Sequence, residues 1–272
     1  MRFKIATWNI NSVRLRIGLV ERLLAEHQPD ILCLQEIKCI DDSFPSKAFR
    51  AAGYHHLACR GQKGYHGVAT ISKIPFIDVT HRLFCEKDDA RHVSVAIQGI
   101  GTPVTLHNFY VPAGGDEPDP VINEKFAHKL SFLKEMRGWF ADAASHPTPM
   151  IMVGDLNIAP LETDVWSHKQ LLKVVSHTPI EVEHLEGVRA SHDWVDVVRR
   201  HVDPAEKLYS WWSYRAKDWA AADRGRRLDH IWTSPVLGSK CTGVQILKEA
   251  RGWTQPSDHV PVLAEFDLSL PD

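Results

Sequence analysis

Apolar residues fall into many short runs and two longer amphipathic stretches. The runs Phe3–Trp8, Ile31–Leu34, Val68–Ile71, Val93–Ile97, Val104–Phe109, Met150–Val153, Leu228–Trp232, Val244–Leu247 and Val260–Phe266 are of strand length. Ser12–Glu26 spaces Leu15, Leu19 and Leu23 four apart, with Pro29 soon after. Asn123–Ala144 sets Phe126, Leu130, Leu133 and Phe140 on one face. Both stretches predict helices. Many strands and few helices point to sheets covered by helices rather than a regular βαβ alternation. No solenoid-period repeat, low-complexity tract or linker-like stretch interrupts the pattern, so residues 1–272 read as one domain.

Polar residues recur where the apolar runs end. IATWNIN ends at Asn9 and Asn11, DILCLQE at Glu36, VTLHNFYVP at Asn108 and Tyr110, and MIMVGDLN at Asp155 and Asn157. RLDHIW carries Asp229, and Asp258-His259 sits just before the last strand. Strand ends are rigid platforms that can converge on one cleft.

The bulk numbers narrow the class. Lys plus Arg number 32 and Asp plus Glu 34, a net charge of −2. That excludes a simple polycationic nucleic-acid coat but not an enzyme with a local basic face. Five Cys, an odd number with no CxxC pair, argue against a disulfide framework or zinc ribbon and for a reducing intracellular compartment. The start MRFKIATWNI lacks a signal pattern, and runs such as Met150–Val153 are too short to span a bilayer. The expectation is a soluble cytoplasmic protein with no membrane partner.

Asn9, Asn11, Glu36 and Asp258 form an all-oxygen set, which suits a hard cation such as Mg²⁺. Each alone reads equally well as a turn or cap, and Asn11-Ser12 is placed to cap the helix that follows. Asp155 and Asn157 alternate onto one side of an extended segment, where an Asp can activate water and an Asn can bind an oxyanion. Gly154-Asp155 is also turn-like. His259 diverges from its neighbour Asp258, so Asp229 is the acid to fix its tautomer and favour an imidazolium that holds a phosphate oxygen. Tyr110 either binds phosphate or is a half-buried aromatic. Ser210–Arg215 packs three aromatics beside a cation, with Arg224, Arg226 and Arg227 following, a pattern for stacking and phosphate contact or simply a solvated charge run. Gly61–Gly67 lacks the GK[ST] ending of a P-loop, and a hairpin turn is its simpler reading.

Read in order, WNIN, LQEIK, GQKGYHGVA, NFYVP, GDLN, SWWSYR, RLDHIW and SDHVPV resemble the exonuclease III class of apurinic/apyrimidinic endonucleases, within the endonuclease–exonuclease–phosphatase superfamily. The resemblance runs from about Lys4 to Phe266. It implies an α/β four-layer αββα sandwich, two packed mixed sheets flanked by helices. It also implies a Mg²⁺- or Mn²⁺-dependent hydrolase acting as a monomer on double-stranded DNA with abasic sites or 3′ ends. By position, Glu36 is similar to the principal metal ligand, with Asn9, Asn11 and Asp258 around it. Asp155 matches the water-activating residue, Asn157 the orienting Asn, Tyr110 the phosphate-contacting Tyr, and His259 with Asp229 the phosphate-binding pair. Trp211 and Trp212 match the residues lining the abasic-sugar pocket. Arg215 and Arg224, with Lys63 and Tyr65 of the Gly-rich loop, complete the implied DNA-binding set.

Three departures stand against the family pattern. Asn11 replaces an Asp found in some members. Ala113 stands where relatives usually carry Asn or Gln, removing a phosphate contact. Residues 162–186, which include His168 and His177, align poorly and are expected near the DNA-binding rim. Two competing classes are a small-phosphoester hydrolase and a catalytically silent DNA-binding relative. The aromatic and Arg segment at 210–227 disfavours the first, and the retained acids and His259 disfavour the second.

Overall fold

The computed structural model describes residues 1–144 and 148–270. Its strands, in chain order, are β1 (Arg2–Asn9), β2 (Ile31–Gln35), β3 (His56–Arg60), β4 (Val68–Ser72), β5 (Phe76–Thr80), β6 (His92–Ile97) and β7 (Val104–Tyr110). They continue with β8 (Met150–Asp155), β9 (Val195–Asp196), β10 (Trp211–Trp212), β11 (Gly225–Arg226), β12 (Asp229–Thr233), β13 (Cys241–Ile246) and β14 (Val262–Asp267). Two six-stranded sheets result, ordered β13-β14-β1-β2-β4-β3 and β5-β6-β7-β8-β12-β9, with β10-β11 a separate ribbon. Each sheet is antiparallel except at its centre, where β1 pairs with β2 and β7 with β8 in parallel.

The sheets pack face to face. Ile5, Ile31, Cys33, Val95, Leu106, Ile151, Val153, Ile231 and Val262 form the core between them. The alternate residues point outward. Ala6, Trp8, Leu32 and Leu34 meet Val20, Leu23 and Leu24 of the helix Ile17–His27 and Phe49 of the helix Ser46–Ala51. On the other sheet, Phe109, Met150, Met152 and Trp232 meet Phe132, Leu133, Met136 and Phe140 of the helix Glu124–Ala144. Leu185 and Val188 of the helix Pro179–Ala190 join the same cluster. Strands buried on both faces read as near-continuous apolar runs, which is why eight of the nine stood out in sequence; the ninth, β13, is a half-exposed edge strand. The four-layer mixed sandwich expected from the resemblance is the observed architecture. Among the described residues, no helix is long and apolar enough to cross a membrane.

Two local expectations fail. The first helix begins at Ile17, not Ser12, and the Asn11-Ser12 cap does not form. Asn11 and Ser12 lie in left-handed backbone (φ 47° and 86°), and the Ser12 amide donates instead to the Glu36 carbonyl at 2.7 Å. Leu15 is consequently 62% exposed. The second helix matches, with Asn123 Oδ1 accepting from the amides of Lys125 and Phe126. Gly61–Gly67 joins antiparallel β3 and β4, the hairpin reading.

Candidate active site

Both parallel pairs run the same functional residues to one rim of the sandwich. Asn9 ends β1, Glu36 follows β2, Tyr110 ends β7 and Asp155 ends β8, while antiparallel β12 begins there with Asp229. Tyr110, Asp155 and Asp229 lie side by side in register. Gly154 makes this possible. Its φ is 141°, and a Cβ would stand 2.0 Å from the Phe109 carbonyl, so only glycine lets β8 approach β7 just before Asp155. Glu36 and Asn157 take left-handed backbone (φ 49° and 54°), the kind of strain that persists where surrounding structure fixes it.

The two sheets meet chemically at this rim. Asn9 Nδ2 donates to Glu36 Oε1 at 3.0 Å and to Asp155 Oδ2 at 2.9 Å. The Tyr110 hydroxyl donates to Glu36 Oε1 at 2.8 Å. Below them, Asn108 Nδ2 donates to the Leu34 and Ala69 carbonyls and its Oδ1 accepts from Gln35, so Asn108 is a buried tie between sheets. His259 Nδ1 lies 2.8 Å from Asp229 Oδ2, and its Nε2 lies 3.6 Å from Asp155 Oδ2. The Ser210 hydroxyl donates to the same Asp229 oxygen at 2.6 Å.

The electrostatics follow from burial and these partners. Burial opposes a charged His259, but Asp229 and then Asp155 outweigh it and raise the imidazole, favouring the imidazolium. Burial raises Asp155, with Asp229 and Glu36 adding to the shift and His259 and Asn9 opposing it. Glu36 is also desolvated, yet Lys38, Asn9 and Tyr110 together hold it below the usual carboxylate range. Burial and the Glu36 and Asp155 charges push the Tyr110 phenol well up, keeping it a hydroxyl donor.

Donor atoms of Asp155, Asp229 and His259 lie within 4.8 Å of one another, close enough for a metal. An imidazole held as imidazolium has no free lone pair, so the better fit for a hard cation is the oxygen set outside this triad. Glu36 and Asp258 both line the cavity. Asn11 links them, its Nδ2 lying 3.3 Å from Asp258 Oδ1 while its Oδ1 accepts from Lys38, which pairs with Glu36 at 2.8 Å. Asp258 Oδ2 accepts from Trp211 Nε1 at 2.9 Å.

The cavity holds about 700 Å³. Its floor is Glu36, Tyr110, Asn157, Asp258 and His259, and its walls include Ala113, Trp166, Ser176, Trp211, Arg215 and Arg224. One sequence expectation needs correction. Asp155 and Asn157 do not share an extended segment: β8 ends at Asp155, whose Oδ1 accepts the Asn157 amide while Asn157 Nδ2 donates to the Val111 carbonyl. Trp212 touches the cavity but is 2% exposed, a core residue tied to Asp223. Arg227 is buried between Asp164 and Asp196 and is no phosphate ligand. Lys63 and Tyr65 sit on the exposed β3–β4 hairpin, outside the main cavity. Of residues 162–186, Trp166 and Val174–Ser176 do form its wall, while His168 and His177 pair with each other at 2.8 Å behind it.

Sequence reasoning missed Lys38, Ser210 and Lys129. Lys38 stood inside LQEIK as an unassigned cation beside the acid. Lys129 is wholly buried, bonded to Glu181 and to the carbonyls of Ala113 and Asn157. Nothing in a helical stripe marks such a lysine as inward-facing.

The Endonuclease/Exonuclease/phosphatase family pattern matches residues 6–259. The chain is 30% identical over 270 residues to exodeoxyribonuclease III of Haemophilus influenzae, covering 97% of this chain and 99% of that one. It is similar in structure to an AP endonuclease from Archaeoglobus fulgidus, with TM-score 0.88, 33% identity and 97% and 99% coverage. It is equally similar to the 3′ phosphatase NExo from Neisseria bound to product DNA hairpin, with TM-score 0.88, 30% identity and the same coverage. By pattern, sequence and fold together, the chain belongs to the endonuclease/exonuclease/phosphatase family, among the DNA-repair nucleases of the exonuclease III and AP endonuclease type.

Proposed function

We propose that this chain is a divalent-metal-dependent phosphodiesterase of duplex DNA that cuts 5′ to abasic sites and removes nucleotides or blocking groups from 3′ ends. The observation that carries the reading is Asp155: buried, raised, and set between Asn9 and the His259–Asp229 pair, just beneath the cavity floor that Glu36, Tyr110 and His259 form. A carboxylate raised in this way is a stronger base for water than an exposed one. Asp155 takes the proton as the water oxygen attacks phosphorus. His259, charged through Asp229, neutralises a phosphate oxygen, and Tyr110 and Asn157 orient the group. Glu36, with Asn9, Asn11 and Asp258, would hold Mg²⁺ or Mn²⁺, which supplies charge neutralisation at the phosphate and the leaving 3′ oxygen. Trp211, Arg215 and Arg224 face the DNA around the cavity, with Trp212 as backing. Lys63 and Tyr65 contact the strand beyond it. One chain supplies the whole set, which supports action as a monomer, and five free thiols support a cytoplasmic setting.

The test uses a 5′-labelled duplex with one abasic analogue, an undamaged duplex and a chelator-treated control. A metal-dependent cut just 5′ to the lesion is expected. Asp155→Ala should abolish cleavage while retaining DNA binding. A variant cutting at a near wild-type single-turnover rate refutes the assignment of Asp155, and no metal-dependent cutting by the wild type refutes the nuclease reading.

A further inference from the structure

Trp211 uses both the face and the edge of its ring. Half-buried, it lines the cavity and packs against Ala159, Val165, Leu171 and Leu228, with the Arg226 guanidinium 5.2 Å from the ring centroid. At the edge, Nε1 donates to Asp258 Oδ2 at 2.9 Å. Stacking on a sugar or a base needs only the face, for which Phe would serve. The indole N–H is a separate feature, and it is directed at a carboxylate of the cation set.

The backbone fixes this bond. Trp211 pairs with Arg226 across β10–β11 on one side and bridges to His259 on the other. The Trp212 amide donates to the Asp258 carbonyl at 2.9 Å, and the Val260 amide to the Ser210 carbonyl at 2.8 Å. These two bonds flank the Trp211–His259 pair, so both main chains are set where the indole meets the carboxylate. Asp258 thereby loses the rotational freedom that a carboxylate outside a strand otherwise keeps. Its other oxygen, Oδ1, lies 3.3 Å from Asn11 Nδ2, and Asn11 is joined through Lys38 to Glu36. A hydrogen bond that orients a ligating side chain matters for the metal: losing one typically costs about 10–100-fold in affinity.

We infer that Trp211 is a positioning residue for the divalent cation: its N–H holds the Asp258 carboxylate in place for metal binding, while its ring face is left to the DNA. This rests on the proposed metal set of Glu36, Asn9, Asn11 and Asp258 and adds the group that orders it. One side chain then serves metal and DNA through different atoms, so a substitution that deletes the N–H and keeps a ring separates the two roles.

The experiment measures Mn²⁺ binding to the DNA-free protein, from the electron paramagnetic resonance signal of the free ion, so stacking on DNA contributes nothing. Trp211→Phe should weaken Mn²⁺ about tenfold or more. The Mg²⁺ concentration that half-saturates abasic incision should rise by a similar factor. Trp211→His carries an Nε2–H that a ring flip brings to the position of the indole nitrogen. Measured above the usual imidazole pKa of about 6.5, it should recover most of the affinity, which sets a lost donor apart from a poorly folded Phe variant. Equal Mn²⁺ affinity in wild type and Trp211→Phe would overturn the inference, as would a His variant no tighter than the Phe one. A wild type that binds no Mn²⁺ at millimolar concentration overturns the metal set itself. Loss of Mn²⁺ in Glu36→Gln with none in Trp211→Phe leaves the set standing and removes Trp211 from it.

Discussion

His107 stacks on His92 inside the aromatic layer of the second sheet, among Phe109, Trp139 and Phe140. The Arg82 amide donates to His92 Nδ1, so His92 carries its proton on Nε2 and donates it to His107 Nδ1 at 3.1 Å. His107 then holds its proton on Nε2, which has no partner. Burial pushes its pKa down to about 3. The unfolded chain's histidine titrates at about 6.5, so as pH falls the unfolded state binds the proton first. Stability from this group is complete above that value and is lost progressively below it. Between pH 7.5 and 5.0 the loss is about 2 kcal/mol, at about 1.4 kcal/mol per pH unit once the unfolded imidazole titrates. His107→Phe removes the group and keeps a ring in the aromatic layer. It leaves His92 Nε2 unpaired and so lowers stability throughout, but its loss between the two pH values should be about 2 kcal/mol smaller than wild type. Contributions from Asp155 and His259 are common to both proteins and cancel. Urea unfolding at each pH measures the difference. An identical pH dependence in the two proteins, or an NMR titration of His107 near pH 6, would refute the reasoning.

Other residues give further expected outcomes. Lys129→Met leaves Glu181 buried without its cation and should cost about 3–5 kcal/mol in urea unfolding, most of it recovered in Lys129→Met/Glu181→Gln, which removes the charge and keeps an acceptor for the Ser176 and Thr178 amides. Asp229→Asn preserves an acceptor for Ser210 and His259 but removes the charge that outweighs burial. His259 should lose its proton at a lower pH, so cleavage at pH 8 should fall about tenfold against wild type and recover toward pH 6.5, a descending alkaline limb readable in single-turnover rates. Ala113→Asn leaves the carbonyl that Lys129 holds in place and adds a donor to the cavity wall. Abasic incision should rise several-fold, and an unchanged rate would show that no phosphate lies against this position.

The sandwich was legible because its strands are buried on both faces. The edge strand β5 was not, since Ile77 and Val79 are exposed and Asp78 interrupts them, so no apolar run marks it. The helix Pro179–Ala190 did carry a readable start, Thr178 and Glu181 forming a capping box around Pro179. Its modest apolar stripe hid it. At the site, the carboxylates and carboxamides were readable because each lies at a strand terminus or within a few residues of one. What they touch was not. That Asn157 turns back on Asp155, or that Trp212 is core while Trp211 reaches Asp258, depends on contacts between segments far apart in the chain.

Asn9 and Glu36 belong to one sheet, and Tyr110, Asp155 and Asp229 to the other, so the reacting groups straddle a seam. Each sheet separately holds an incomplete set. Any sliding of the layers therefore disassembles the chemistry before it melts either sheet. Hydrostatic pressure or mild denaturant that loosens the interface should silence turnover while far-ultraviolet dichroism is still native. Turnover would then serve as a gauge of how tightly the two halves are clamped.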